Sequence, residues 1–147
     1  MKVQGEQTLP LPPPAAWDLL LNTDVLARAI PGCESLTPLG PDEYEMTMKI
    51  AISSIQGLFS GKIRIADQNP PLSYRLHVEG RGKLGFVRGS GLLTLSADPS
   101  GTRVSYGGEV QVGGLVAGVG ERMLDVTTKM MLRRFFASLV REAQPQP

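Results

Sequence analysis

GGLVAGVGERMLDVTTKMMLRRFFASLVR, residues 113–141, is the stretch that decides the fold. It is the longest run with sustained helical periodicity, and it predicts one helix from Gly113 to Arg141, roughly 40 Å long. At about 100° per residue, Leu115, Val116, Val119, Met123, Leu124, Val126, Met130 and Met131 fall on one side. Glu121, Arg122, Asp125, Thr128 and Lys129 fall on the other. Past Met131 the apolar face rotates. Leu132, Phe135, Phe136, Leu139 and Val140 move to the side that carried Glu121, Asp125 and Lys129. The helix therefore reads as a lid from Leu115 to Met131 and a separate end after it. Two readings of that end stand. It packs on the chain's short helices around Trp17 and Leu20, or Phe135, Phe136 and Leu139 beside Arg133, Arg134 and Arg141 dock a partner or a membrane surface.

Upstream, the chain reads as strands and two short helices. Residues 2–9 alternate and form a strand. Pro12 to Pro14 open a helix through AAWDLLL, since proline fits a first turn. Asn22, Thr23 and Asp24 are cap-type residues that start a second helix, ended by Pro31-Gly32. Strands follow at Cys33–Leu39, Tyr44–Ile52, Ile63–Ile65, Tyr74–Val78, Leu93–Leu95 and Val104–Val112, with a bend at Gly57-Leu58-Phe59 and turns at Asn69-Pro70-Pro71 and Asp98–Gly101. Tight turns between successive strands imply an antiparallel meander with one dry face, which the long helix covers. The expected class is α+β: about seven curved antiparallel strands, two short helices after strand 1, and a long C-terminal helix. One domain over 1–147 fits the length, with a frayed tail at 143–147.

Charge and cysteine content narrow the function. Fifteen basic and 14 acidic residues give a net charge of +1, so nothing draws the whole chain to nucleic acid or an anionic membrane. A single cysteine rules out an internal disulfide and a multi-cysteine metal site. The N-terminal residues have no apolar signal core and no run is long enough to span a bilayer, so the expectation is a soluble cytoplasmic domain.

Reactive constellations are scarce. Gly80 to Gly85 fits G-x-G-x-x-G, but a strand-like sequence follows instead of the helix that phosphate binding needs. Glycines there suit bends, and on the inner face they leave room for a cavity. His77, the only histidine, shares the wet phase with Arg75 and Glu79. Cys33 follows a helix C-terminus, which disfavours a thiolate. No carboxylate takes an inward position, so no catalytic residue and no metal ligand set is assigned. The inner surface is Met, Ile, Leu, Val and Gly with the hydroxyls of Tyr44, Tyr74 and Tyr106. That composition suits a solid core or an apolar cavity equally. For a cavity, the lining residues are Met46, Met48, Ile50, Tyr74, Leu76, Gly89, Gly91, Tyr106, Val119, Met123, Val126 and Met130.

Four segments carry a family resemblance: Ala16-Trp17-Asp18-Leu19-Leu20, Ile30 to Leu36 (IPGCESL), Gln111-Val112-Gly113-Gly114 running into the helix, and Phe135-Phe136. On these the chain resembles the carbon monoxide dehydrogenase G-subunit (CoxG) family, within the helix-grip fold of START and polyketide-cyclase-like proteins. The resemblance implies an accessory protein and not an enzyme. It implies an apolar cavity holding a hydrophobic molecule, a quinone or a lipid-like compound, with no intrinsic cofactor. The implied partner is a molybdenum hydroxylase of the carbon monoxide dehydrogenase type, which holds the molybdenum itself. The implied role is recruiting that enzyme to the inner face of the membrane, or exchanging electrons with it. Many members carry a C-terminal linker with a membrane-binding segment, and residues 1–147 contain none, so tail anchoring is not expected of them. Two other readings stay open: an assembly factor with a solid core, and a cyclase- or hydrolase-like enzyme.

Overall fold

A computed structural model describes residues 1–52 and 54–144. Residues 145–147, most of the stretch expected to fray, lie outside it. The elements run β1 (Lys2–Leu9), α1 (Pro13–Leu20), α2 (Thr23–Ala29), β2 (Cys33–Gly40), β3 (Glu43–Ile52), β4 (Ile55–Asn69), β5 (Ser73–Gly82), β6 (Gly85–Asp98), β7 (Gly101–Gly113), a 3-10 turn (Leu115–Val119) and α3 (Glu121–Ala143). The strands form one antiparallel sheet in the order β1-β7-β6-β5-β4-β3-β2. This is the α+β helix-grip architecture anticipated from the sequence.

Local chemistry explains the helix starts. Asn22 caps α2, its side-chain oxygen accepting from the Val25 amide at 3.2 Å. Prolines occupy the first turn of α1, where a missing amide hydrogen costs nothing.

Two sequence expectations need correction. The long helix does not begin at Gly113. Gly114 and Gly120 hold φ of 81° and 94°, and only one 3-10 turn lies between them. Four glycines in eight residues make a continuous helix costly there, at about 1 kcal/mol each relative to alanine. The second concerns the strands: β4 runs unbroken through Gly57, and the glycine-dense stretch is the tight β5–β6 hairpin, with Gly82 paired to Gly85. At the chain's end, Ala143 closes α3, and Glu142 receives a forked pair of hydrogen bonds from Arg28 at 2.8 and 2.9 Å.

The core is in two parts. One cluster joins Leu9, Ala16, Trp17, Leu20, Val25, Ala29, Ile65, Tyr74, Leu95, Val104, Phe136 and Leu139. The other joins Ile52, Phe59 and Val116 at the opposite end, with Ile50, Leu84, Val87, Val112, Val119 and Leu124 packed on it. The 3-10 turn is tied there by the Val116 amide donating to the Leu84 carbonyl at 2.8 Å. The end of α3 thus packs on α1 and α2 around Trp17 and Leu20, the first of the two readings of that segment.

Candidate functional site: an apolar cavity beneath the long helix

Between the two clusters lies a cavity of about 400 Å³. Its floor is the inner face of the sheet, where register lines up small residues. Leu76 faces Gly91, Gly91 faces Gly108, and Gly108 faces Val3. Val78 likewise faces Gly89. A Cβ on Gly91 would stand 3.0 Å from the Gly107 carbonyl oxygen, so the strands sit closely here and the floor stays low. Walls come from Tyr44, Met46, Met48, Ile63 and Ile65 of β3 and β4. Leu26, Ile30, Pro31 and Leu36 close one side, and Thr128, Met131, Leu132, Phe135 and Phe136 of α3 form the roof.

The lining is almost wholly apolar. Tyr44, Tyr74 and Tyr106 border it, and among the described residues none of their hydroxyls bonds to protein. Each of two rings is nonetheless held. Tyr74 meets Trp17 edge-on, centroids 5.3 Å apart. Tyr106 stacks on Phe136 at 5.7 Å and lies over Gly5, where a Cβ would come 2.6 Å from its hydroxyl oxygen. Burial pushes the Tyr74 hydroxyl well above the ordinary phenol value, so it stays a neutral donor. Thr128 is already engaged, donating to the Leu124 carbonyl at 2.8 Å. Ser90 and Glu109 border the cavity only where the floor is glycine, and their strand phase is that of the outer face.

Of the residues named from the sequence, Met46, Met48, Tyr74, Leu76, Gly89, Gly91 and Tyr106 line this cavity. Ile50 and Val119 pack on the far cluster instead. Met123 and Val126 do not line it; they are 41% and 55% exposed. Met130 is half-buried and also off the lining. The expected lid is right in part: Met131 roofs the cavity and Leu124 packs on the far cluster, while Met123, Val126 and Met130 fall outside the lining, because both faces of the helix carry apolar side chains and the rotation past Met131 settles which one turns inward. For the same reason Phe136 and Leu139, at 3% and 0% exposure, are core residues and are closed to any partner. Phe135 is half-buried against Phe136 and roofs the cavity. Residues absent from the expected lining, such as Ile63, Val78, Val87, Leu93 and Val110, share the inward alternation phase of those that were named.

The family model for the G subunit of carbon monoxide dehydrogenase (CoxG) matches residues 5–144. The chain belongs to this family. A solved structure described as a conserved protein from Geobacillus kaustophilus is 31% identical, with a TM-score of 0.92, over 97% of this chain and 95% of that one. Two more distant structures share the fold. Protein CV1439 from Chromobacterium violaceum has 15% identity and a TM-score of 0.74, covering 99% of each chain. The ZhuI aromatase/cyclase from Streptomyces sp. R1128 has 11% identity and a TM-score of 0.66, over 97% and 93%. No curated protein matches the chain by sequence.

In this CoxG-family chain the other chemistry-bearing residues stand apart from the cavity. His77 sits on the outer sheet face, bordering a charged hollow of about 480 Å³ with Lys62, Arg64, Glu79 and Arg88. Cys33 is half-buried, its thiol pushed up by burial and donating weakly to the Ser35 carbonyl at 3.5 Å. Among the described residues no three His, Cys, Asp or Glu side chains gather to hold a metal, and no helix is long and apolar enough to cross a membrane.

Proposed function

We propose that this chain is a non-catalytic carrier that holds a hydrophobic small molecule, a quinone or a lipid-like compound, in the cavity under α3. In this reading it serves a molybdenum hydroxylase of the carbon monoxide dehydrogenase type, by recruiting it to the membrane or by exchanging electrons with it through the bound compound. The observation that carries the reading is the cavity itself. It offers about 400 Å³, within the usual size range of small-molecule sites, and its lining is apolar with a few convergent hydroxyls. A quinone fits that chemistry: its ring and tail match Met, Leu, Ile and Val, and its carbonyl oxygens match the free donors of Tyr44, Tyr74 or Tyr106. Several methionines give the lining the adaptability a variable tail needs. Membership of a family described as the G subunit of carbon monoxide dehydrogenase supports the choice of partner. A cyclase- or hydrolase-like enzyme would need a proton-transfer group with a pKa near neutrality beside the ligand. Tyrosines are the titratable groups of the inner face, and burial moves Tyr74 further from that range, while Glu109, which borders the cavity, belongs to the outer strand phase with its side chain 66% exposed.

The test uses the single tryptophan. Trp17 packs edge-on against Tyr74, which lines the cavity, so its fluorescence reports on occupancy. Titration with a series of quinones of increasing tail length should quench it saturably, and lipid extraction of protein from its own host should release the same class of compound. Absence of both signals removes the carrier reading and leaves the assembly-factor reading.

A further inference from the structure

The sheet face turned away from the cavity carries an ordered charge pattern. Register aligns one row of outward residues across six strands: Glu43 on β3, Arg64 on β4, His77 on β5, Ser90 on β6, Glu109 on β7 and Lys2 on β1. Two residues along, a second row reads Glu45, Lys62, Glu79, Arg88 and Gln111. Most of these residues line the charged hollow centred on β5 and β6. Of the charges in the two rows, only Glu109 has an opposite charge within ion-pair distance among the described residues, the terminal ammonium of Met1 at 4.0 Å. Arg88 rests over the Phe86 ring, 5.6 Å from its centroid, with its charge unpaired. In the hollow Glu43, Glu79 and Glu109 balance Lys62, Arg64 and Arg88, so a ligand carrying one sign of charge gains little there.

The order of the signs decides what does fit. Turned end for end about the gap between β5 and β6, each row meets its own complement. Glu43 falls on Lys2, Arg64 on Glu109 and His77 on Ser90. In the second row Glu79 falls on Arg88 and Lys62 on Gln111, while Glu45 has no counterpart. Like charges never meet. A two-fold axis parallel to the strands performs this reversal, and a two-fold interface has to be self-complementary in just this sense. We infer that this outer face pairs with the same face of a second copy of the chain about that axis. Three kinds of charge pair form, each made twice. An ion network within one chain does not need this order: Arg64 and Glu109 stand three strands apart, about 14 Å, beyond the screening length at physiological salt. Six strands and four rows of side chains make a patch of roughly 24 by 20 Å, at the low end of interface sizes. The dimer should therefore be weak and in exchange with monomer, selected by charge pairing and not by area. The cavity lies on the other side of the sheet, so this pairing does not depend on its contents.

The experiment is sedimentation equilibrium of the full chain from micromolar to millimolar concentration. A monomer–dimer equilibrium should appear at about 0.05 M salt and give way to monomer at about 1 M, where the screening length is about 3 Å. R64E alone, or E109R alone, brings like charges together twice and should weaken the dimer at least about tenfold. Mixed one to one, the two variants complement each other again. The new carboxylate of R64E meets the new guanidinium of E109R, and the native Glu109 of the first meets the native Arg64 of the second. The mixture should dimerise with close to wild-type affinity. R122E, on α3, should behave as the wild type. Arg64, Glu109 and Arg122 are exposed, so all three variants should melt with the wild type. Should a reversal melt low, R64Q and E109Q remove the charge without adding repulsion, and each should still weaken the dimer at least about threefold. The proposal is overturned if the wild type is monomeric throughout at low salt, or if its dimer persists undiminished at high salt. It is also overturned if R64E and E109R dimerise like the wild type, as they would if another face were used, or if their mixture fails to recover the dimer.

Discussion

Replacing Phe136 with alanine probes both the orientation of α3 and the roof of the cavity. The ring is 3% exposed, stacked on Tyr106 at 5.7 Å with an interplanar angle of 11° and edge-on to Phe135 at 5.2 Å. Phe→Ala in a core costs about 3–5 kcal/mol, part of it for the void left behind. Here the void opens into an existing cavity instead of making a sealed one, which puts the cost near the lower end, about 3 kcal/mol. Two aromatic pairs are lost as well, each worth about 0.5–1.5 kcal/mol beyond area. Taking the lower figure for each pair, since part of it is already contained in the truncation cost, about 4 kcal/mol is expected. At about 4 °C per kcal/mol for a chain of this size, the melting temperature should fall by roughly 16 °C. Val126→Ser on the outward face should stay within about 0.5 kcal/mol, or some 2 °C. Scanning calorimetry or circular dichroism measures both. If F136A melts within a few degrees of the wild type while V126S collapses, α3 is mounted the other way round and this cavity is not the protein's.

Three further outcomes follow from the same structure. Val78→Phe projects a ring from the floor into the cavity; it should leave stability within about 1 kcal/mol, because space is available, and weaken quinone binding at least about tenfold in the Trp17 titration. Thr102 is fully buried and donates to the Leu11 carbonyl at 2.6 Å, so Thr102→Val should cost about 1–3 kcal/mol in urea unfolding by leaving that carbonyl unpaired. Tyr74 has a folded pKa raised by burial above its unfolded value of 10.0, so its neutral form favours folding; that stability is complete below pH 10 and is lost as pH climbs through the raised value. Urea midpoints followed from about pH 8 to about pH 12 should fall steeply in the wild type and less steeply in Tyr74→Phe.

What was legible in the sequence divides along physical lines. Strand phase was legible because alternation has a period of two and a slip exposes every core residue. Tyr44, Met46 and Met48 therefore appeared on the right face, and so did the polar phase of His77 and Glu79. The start of α2 was legible because a cap-type side chain, Asn22, marks it. The start of α3 was not, since Leu115, Val116 and Val119 keep helical spacing while Gly114 and Gly120 take positive φ, and periodicity ignores φ. The inner face of α3 was misread for a related reason. Counting apolar residues weighs Met123 and Val126 the same as Phe136 and Leu139, and the larger ring and the fully buried leucine decide the packing. Whether the sheet's inner face closed on itself or left a gap depends on how far the helix stands off, which no local pattern encodes.

That stand-off has a structural cause. The C-terminal half of α3 is fixed by Phe136 and Leu139 among Trp17, Leu20 and Leu9, and by the forked bond between Arg28 and Glu142. Its N-terminal end is fixed through the 3-10 turn, whose Val116 is buried against Ile52 and Phe59. The helix is thus a beam held at its two ends. Beneath its middle the sheet presents Gly89, Gly91 and Gly108, which lack the side chains that would fill the span, while Thr128 turns its hydroxyl back to its own helix. A chain built only for stability gains by filling such a gap, at roughly 1 kcal/mol for each methyl-sized void removed. Because two separate clusters carry the packing, the floor is relieved of that task. Larger residues at the glycines would meet the neighbouring strand's backbone before they reached the helix. The cavity is therefore a consequence of strand register and helix anchoring together, and a single substitution on α3 is not expected to close it.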